Sequence, residues 1–242
     1  MQKSSLIDRW AEDINGFSVI EKNTNGGKGS GNFGHEGRPG KIGGSGKGTG
    51  KESEYDEYIT RGARFSKLNQ QTNWNSYELH SILPYFGDFA NTSRVQNYLM
   101  GGDDSSLSMT VMASDCVIEM KRKMEKTTFQ EDETLYRGML IRNDRLQRSI
   151  DNGFTFSGFQ STTMEGNHAT EIIKEQLKSE KYDPKFYTPV LLKINAKKGG
   201  HFAASPYDVE KEIVLPDNIK FKVKKQSENS SGYKIFEVDY EE

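Results

Sequence analysis

One cysteine in the whole chain, Cys116, excludes an internal disulfide framework and a cysteine-rich metal site. It lies in a helix-like segment of mixed polarity and reads as buried filler rather than a nucleophile. Histidine is also scarce. His35, His80, His168 and His201 show no HExxH arrangement and no paired spacing, so no metal site is expected. There is no GxSxG elbow and no Walker-type loop. No segment approaches 18 consecutive apolar residues, and MQKSSLIDRWAEDINGF at the start has no apolar signal core. Neither a secretory signal nor a membrane span is expected, which places the chain in the cytoplasm of the cell that makes or receives it. One-sided charge is missing too. With 33 basic and 35 acidic residues, nothing global calls for nucleic acid or an anionic membrane. Apolar residues make up only 33% and mean hydropathy is -0.80, which is low for a chain folded throughout.

What is present is uneven. Gly26 to Gly50 reads GGKGSGNFGHEGRPGKIGGSGKGTG and holds half of the chain's 24 glycines. Such a stretch loses the most backbone entropy on ordering and has little to bury, so residues 26–52 are expected to be a flexible linker. It separates a short N-terminal segment, 1–25, from one folded domain, 53–242. GxGxxG-type spacings inside the linker carry no weight, because no strand precedes them and no helix follows.

From about Glu54 the pattern is helical, with Tyr55, Tyr58 and Ile59 on one face. Ser76 to Leu83 reads as a helix halted by Pro84, and Thr92 to Met100 as another closed by Gly101-Gly102. Ser105 to Lys126 reads as a longer helix, capped by serine and ending in a basic turn. After Thr127 the period shifts towards two. Residues 134–140, 153–158, 159–164, 189–196, 212–216, 219–225 and 233–240 read as strands. Between them Asn167 could cap a helix carrying Ala169, Ile172, Ile173 and Leu177 on one face. Helices followed by strands predict an α+β domain.

Three features could carry chemistry, and each has an ordinary reading. Arg137 lies in LYRGM, among apolar neighbours, where a guanidinium must find an anion: a structural salt bridge, or a phosphate. FQSTTM sets three hydroxyls on a strand, where threonine is commonplace. YDVEKEIVLP places Glu210 and Glu212 two apart at the head of an apolar run. If extended, they share one face with Lys211 on the other. Glu-x-Glu alone is cheap, since Glu52/Glu54 and Glu131/Glu133 repeat it.

Taken in order, Tyr136-Arg137, Phe159-Gln160-Ser161-Thr162-Thr163 and Glu210-Lys211-Glu212 resemble the signatures of the R-S-E class of mono-ADP-ribosyltransferases. Tyr207 stands three before Glu210, where arginine-modifying members carry an aromatic, and YFGDFANTSRVQNYLMGG (85–102) is similar to part of the family's N-terminal helices. Thr163 replaces the usual last serine. The resemblance covers roughly Glu54 to the C-terminus. It implies a mixed, mainly antiparallel two-sheet β core behind the helices. It also implies a toxin-like transferase that moves ADP-ribose from NAD, as co-substrate without a metal, to an arginine of a target protein. Glu212 would stabilise the ribose as nicotinamide leaves, and Ser161 would orient Glu212. Arg137 would hold an NAD phosphate, with Thr162 also in the NAD site, and the backbone of Gly138 would approach the nicotinamide amide. Glu210 and Tyr207 would receive the incoming arginine.

Two alternatives stay open: hydrolysis of NAD with water as acceptor, and a non-catalytic, virion-associated structural protein. The latter follows from a linker similar to segments of bacteriophage head-associated proteins. Self-modification of that linker is a further option, and nucleic acid ranks low as an acceptor because no basic stripe is evident.

Overall fold

The computed structural model describes residues 51–87, 89–102, 107–178, 182–207 and 211–241. The N-terminal segment, residues 26–50 of the expected linker, the serines expected to cap the long helix, and Glu210 lie outside the described residues, whereas Lys51 and Glu52, expected in the linker, are helical.

Four helices come first: α1 (Lys51–Thr72), α2 (Ser76–Gly87), α3 (Phe89–Leu99) and α4 (Leu107–Met124). Asn75 starts α2 with a reciprocal cap. Its Oδ1 accepts from the amides of Tyr77 and Glu78, both at 2.9 Å, while Glu78 Oε2 accepts from the Asn75 amide at 2.9 Å. Pro84 does not halt this helix, contrary to expectation. It sits inside α2, which runs on to Gly87. A proline in the last turn removes only one helical hydrogen bond, and the next residue, Tyr85, is buried in the core. α4 closes on Lys121, Arg122 and Lys123, as its dipole favours. α2, α3 and α4 share one apolar cluster that includes Ile82, Tyr85, Val95, Cys116 and Met120. Cys116 is fully buried, and burial pushes its thiol up to about 12, which fits filler and not a nucleophile.

The remaining elements are β1 (Glu133–Arg142), α5 (Asn143–Asn152), β2 (Phe154–Phe156), β3 (Gln160–Thr163), α6 (Gly166–Leu177), β4 (Tyr187–Ala196), β5 (Ala203–Ala204), β6 (Glu212–Leu215), β7 (Ile219–Glu228) and β8 (Lys234–Glu241). Asn167 is not the cap of α6. That position falls to Glu165, whose amide donates to Thr163 Oγ1 at 3.1 Å. The domain is α+β, as expected. The strands hydrogen-bond in the order β2-β7-β8-β4-β1-β3-β6-β5, every pair antiparallel except β4 with β8.

The two sheets expected are thus joined into one. The join is slender: β1 meets β3 through the single pair Tyr136 and Thr163. Both arms of the sheet nevertheless fill one core, since Phe154, Phe221 and Phe236 from one arm cluster with Ala204, Ile213 and Leu215 from the other. Phe159, just before β3, and Ala203 of β5 and Val214 of β6 join the helical cluster. Alternation along short strands therefore glues the helical layer to the sheet at the point where the two arms meet. Among the described residues no helix is long and apolar enough to cross a membrane.

Candidate active site

Arg137, Ser161 and Glu212 come together on β1, β3 and β6, three consecutive strands of the sheet. Arg137 is 6% exposed, and its Nη1 donates to the carbonyl oxygen of Ser161 at 2.5 Å. Its guanidinium also lies 5.6 Å from the centre of the Phe156 ring, a cation–π distance. Burial pulls the guanidinium down to about 10, opposed by the nearby Tyr85 and Glu212, which leaves it charged at neutral pH.

On the next pair of strands, Ser161 stands opposite Val214 and Thr163 opposite Glu212. Ser161 and Glu212 are therefore diagonal neighbours on one sheet face, within about 7–8 Å between backbones by ordinary sheet geometry. That is the spacing at which a serine hydroxyl can reach a glutamate carboxylate. Thr162 points the other way. It is 4% exposed, and its hydroxyl donates to the Ile213 carbonyl at 2.6 Å, so that hydroxyl ties β3 to β6.

Packing alone requires a glycine at 138. A Cβ there would lie 1.9 Å from the Ala169 carbonyl oxygen and 2.9 Å from Ile173 Cγ1. The missing side chain makes room for α6 against β1.

Lys211 changes the picture of the glutamate pair. An extended backbone through 210–212 would set Lys211 opposite Glu212 on a solvated edge. Instead Lys211 has φ 44°, a left-handed conformation, and β6 begins only at Glu212. Its side chain is buried and forms an ion pair with Glu165, the residue before α6. The extended backbone expected at Lys211 is thus replaced by a left-handed one.

The loop into Glu212 is held at its base. The Ser205 amide donates to the Glu212 carbonyl at 2.9 Å, and the Tyr207 amide to Ser205 Oγ at 3.1 Å. Asn69 Nδ2 donates to the Ser205 carbonyl at 2.6 Å, and Trp74 Nε1 to the Ala204 carbonyl at 2.8 Å. The end of α1 and the turn after it thus grip the chain on the way into this loop. Tyr207 itself is 45% exposed.

Two residues not singled out in the sequence belong to this region. Tyr85 Oη lies 3.1 Å from Ser161 Oγ, and Gln96 Nε2 donates both to Tyr85 Oη at 3.2 Å and to the Phe159 carbonyl at 2.8 Å. Gln96 lies among Thr92, Ser93 and Asn97 in α3, so the sequence carried no signal for its burial. No group of three metal-ligating side chains comes together among the described residues.

This chain matches no family model and no curated protein at the level of sequence. Its fold, however, matches solved structures. The Vis toxin of Vibrio splendidus, an ADP-ribosyltransferase, superimposes with TM-score 0.59 over 82% of this chain and 89% of that chain, at 16% identity. The fold is that of the ADP-ribosyltransferase toxins. The C3 exoenzyme of Clostridium limosum shares it with TM-score 0.53 over 77% of this chain and 94% of that one, at 13% identity. BECa, an ADP-ribosylating toxin of a binary enterotoxin of C. perfringens solved with NADH, gives TM-score 0.56 over 78% of this chain and 48% of its own, at 14% identity. Within this ADP-ribosyltransferase fold, the arginine, the serine and the second glutamate come from the motifs that suggested the resemblance.

Proposed function

We propose that the chain is a mono-ADP-ribosyltransferase that moves ADP-ribose from NAD to an arginine side chain of a target protein and releases nicotinamide. The observation that carries this reading is the meeting of Arg137, Ser161 and Glu212 on adjacent strands of an ADP-ribosyltransferase toxin fold.

The chemistry suits these groups. The bond between ribose and nicotinamide breaks with its electron pair passing to the pyridinium nitrogen, so nicotinamide leaves neutral and needs no acid. The ribose carbon becomes oxocarbenium-like, as in glycoside hydrolysis. Glu212 would stabilise that positive charge, with Ser161 holding the carboxylate in place. Arg137, charged and rigidly held, would bind an NAD phosphate. Glu210 would pair with the incoming guanidinium, aim its nitrogen at the ribose carbon and take the proton released as the new bond forms. Tyr207 would pack against the acceptor. Arginine as acceptor is supported by the two glutamates, and by a structure of Vis in complex with agmatine, a guanidino compound, that has the same fold with TM-score 0.58 over 77% of this chain and 86% of that chain, at 17% identity.

The test is nicotinamide release from NAD by the purified chain, with agmatine added and omitted, beside Glu212→Gln. Release that depends on Glu212 and rises with agmatine supports transfer to arginine. Release insensitive to agmatine, but still Glu212-dependent, points to NAD hydrolysis instead. A folded chain that releases none and binds no NAD removes the enzymatic reading.

A further inference from the structure

Tyr85 brings a hydroxyl from the helical layer to the side chain of Ser161, and the hydrogen bonds around it have a direction. The Phe159 carbonyl can only accept, so the Gln96 group 2.8 Å from it is the amide nitrogen. That nitrogen carries two hydrogens and no acceptor capacity, and its second contact is Tyr85 Oη at 3.2 Å. The phenol therefore accepts from Gln96. Its own single hydrogen is left for Ser161 Oγ, 3.1 Å away. Once Ser161 Oγ accepts from Tyr85, its remaining hydrogen is free to be donated, and the carboxylate of Glu212 lies diagonally across β3 and β6 on the same face. An ionised carboxylate accepts only.

The surroundings hold this direction in place. Tyr85 is 3% exposed and Gln96 is 2% exposed, so water does not compete. The Tyr85 ring packs edge-on against Phe159, with centroids 5.9 Å apart. Burial pushes the phenol above its ordinary range and the negative charge of Glu212 pushes it further, so the hydrogen stays on Tyr85 at working pH. Arg137 fixes the backbone of the same serine from the other side.

We propose that Gln96 and Tyr85 are positioning residues: a polarised relay, Gln96 to Tyr85 to Ser161, that turns the Ser161 hydrogen towards Glu212. The inference rests on the proposed role of Glu212 and adds two helical residues through which that role is set. Neither touches the reacting atoms; both act through Ser161.

A double-mutant cycle tests it, with nicotinamide release from NAD measured for the full chain as kcat and KM, alongside thermal melts. Tyr85→Phe keeps the ring and removes one hydroxyl. It is expected to lower kcat roughly five- to tenfold, the worth of one hydrogen bond, with little change in the KM for NAD. Ser161→Ala is expected to cost more, and adding Tyr85→Phe to it should cost nothing further. Gln96→Leu should reproduce part of the Tyr85→Phe loss, and it runs the same cycle should the phenylalanine variant fail to fold. Losses that multiply in the double variant, an unchanged kcat, or a change confined to KM would each overturn the relay while leaving the transferase reading intact. A wild-type chain without nicotinamide release would overturn both.

Discussion

Gly138 on β1 and Ala169 on α6 are in such close register that a methyl group at 138 would lie 1.9 Å from the Ala169 carbonyl oxygen. The obstacle is helix backbone, which cannot rotate aside as a side chain can. Gly138→Ala must therefore push α6 away from β1, and overpacking of this kind costs about 1–3 kcal/mol. In a protein of this size each kcal/mol lowers Tm by about 2–4 °C. A thermal melt of Gly138→Ala that matches the wild type would contradict the packing described.

Arg137→Lys separates charge from shape. Lysine retains the positive charge but not the planar group that reaches the Ser161 carbonyl and lies near the Phe156 ring. A charge-assisted hydrogen bond is worth about 1.5–3 kcal/mol, so nicotinamide release should fall roughly tenfold to a hundredfold. Steady-state kinetics on the folded variant check this, and a kcat/KM equal to that of the wild type would remove Arg137 from the site.

The strands bearing the site were legible because alternation marks half-buried strands whatever their partners, and β1, β3 and β6 begin close to where that pattern places them. β5 escaped because its two residues, Ala203 and Ala204, are too short to show a period. The continuity of the sheet escaped for a related reason: a join made by one pair, Tyr136 with Thr163, leaves no trace in hydropathy. Lys211 was misjudged since glycine or asparagine announces a left-handed backbone and lysine does not. Tyr85 and Gln96 look like ordinary helix residues until β3 is placed beside them, which only tertiary packing does.

Glu78 makes stability depend on acid. Burial alone would raise its carboxyl, but the hydrogen bond and charge of Lys123, together with the Asn75 amide, hold it below the ordinary carboxylate value. A folded value below the unfolded one, about 4.3, adds stability that is fully present above the unfolded value and is lost as pH falls through the folded one. Glu78→Gln keeps an acceptor for the cap but loses the charge. Urea melts should show the two proteins differing most at neutral pH and converging below about pH 4. Parallel curves at every pH would mean that the pair contributes nothing.

Glu210 and Glu212 are assigned different partners, and glutamine at each should divide the activity differently. Glu212→Gln should abolish nicotinamide release in every assay. Glu210→Gln should lose transfer to agmatine while keeping most NAD hydrolysis, because water needs no carboxylate to aim it as a guanidinium does. Mass measurement of the agmatine adduct beside nicotinamide release distinguishes the two. Equal loss of both activities in Glu210→Gln would remove its separate role.

Glu165 holds Lys211 from the far side of the motif, and Lys211 is the residue before Glu212. Glu165→Gln would leave a buried ammonium with one fewer counter-charge, at a cost of about 3 kcal/mol if the pair behaved as fully buried and less here because Glu165 is partly exposed. Replacing both, as Glu165→Leu with Lys211→Met, removes the uncompensated charge and should restore part of that stability. Activity should not follow. Lys211 takes a left-handed backbone at the head of β6, and its buried ammonium pairs with Glu165 there. The double variant should therefore melt closer to the wild type than Glu165→Gln does while releasing nicotinamide no faster. Recovery of both together would show that the pair serves stability alone.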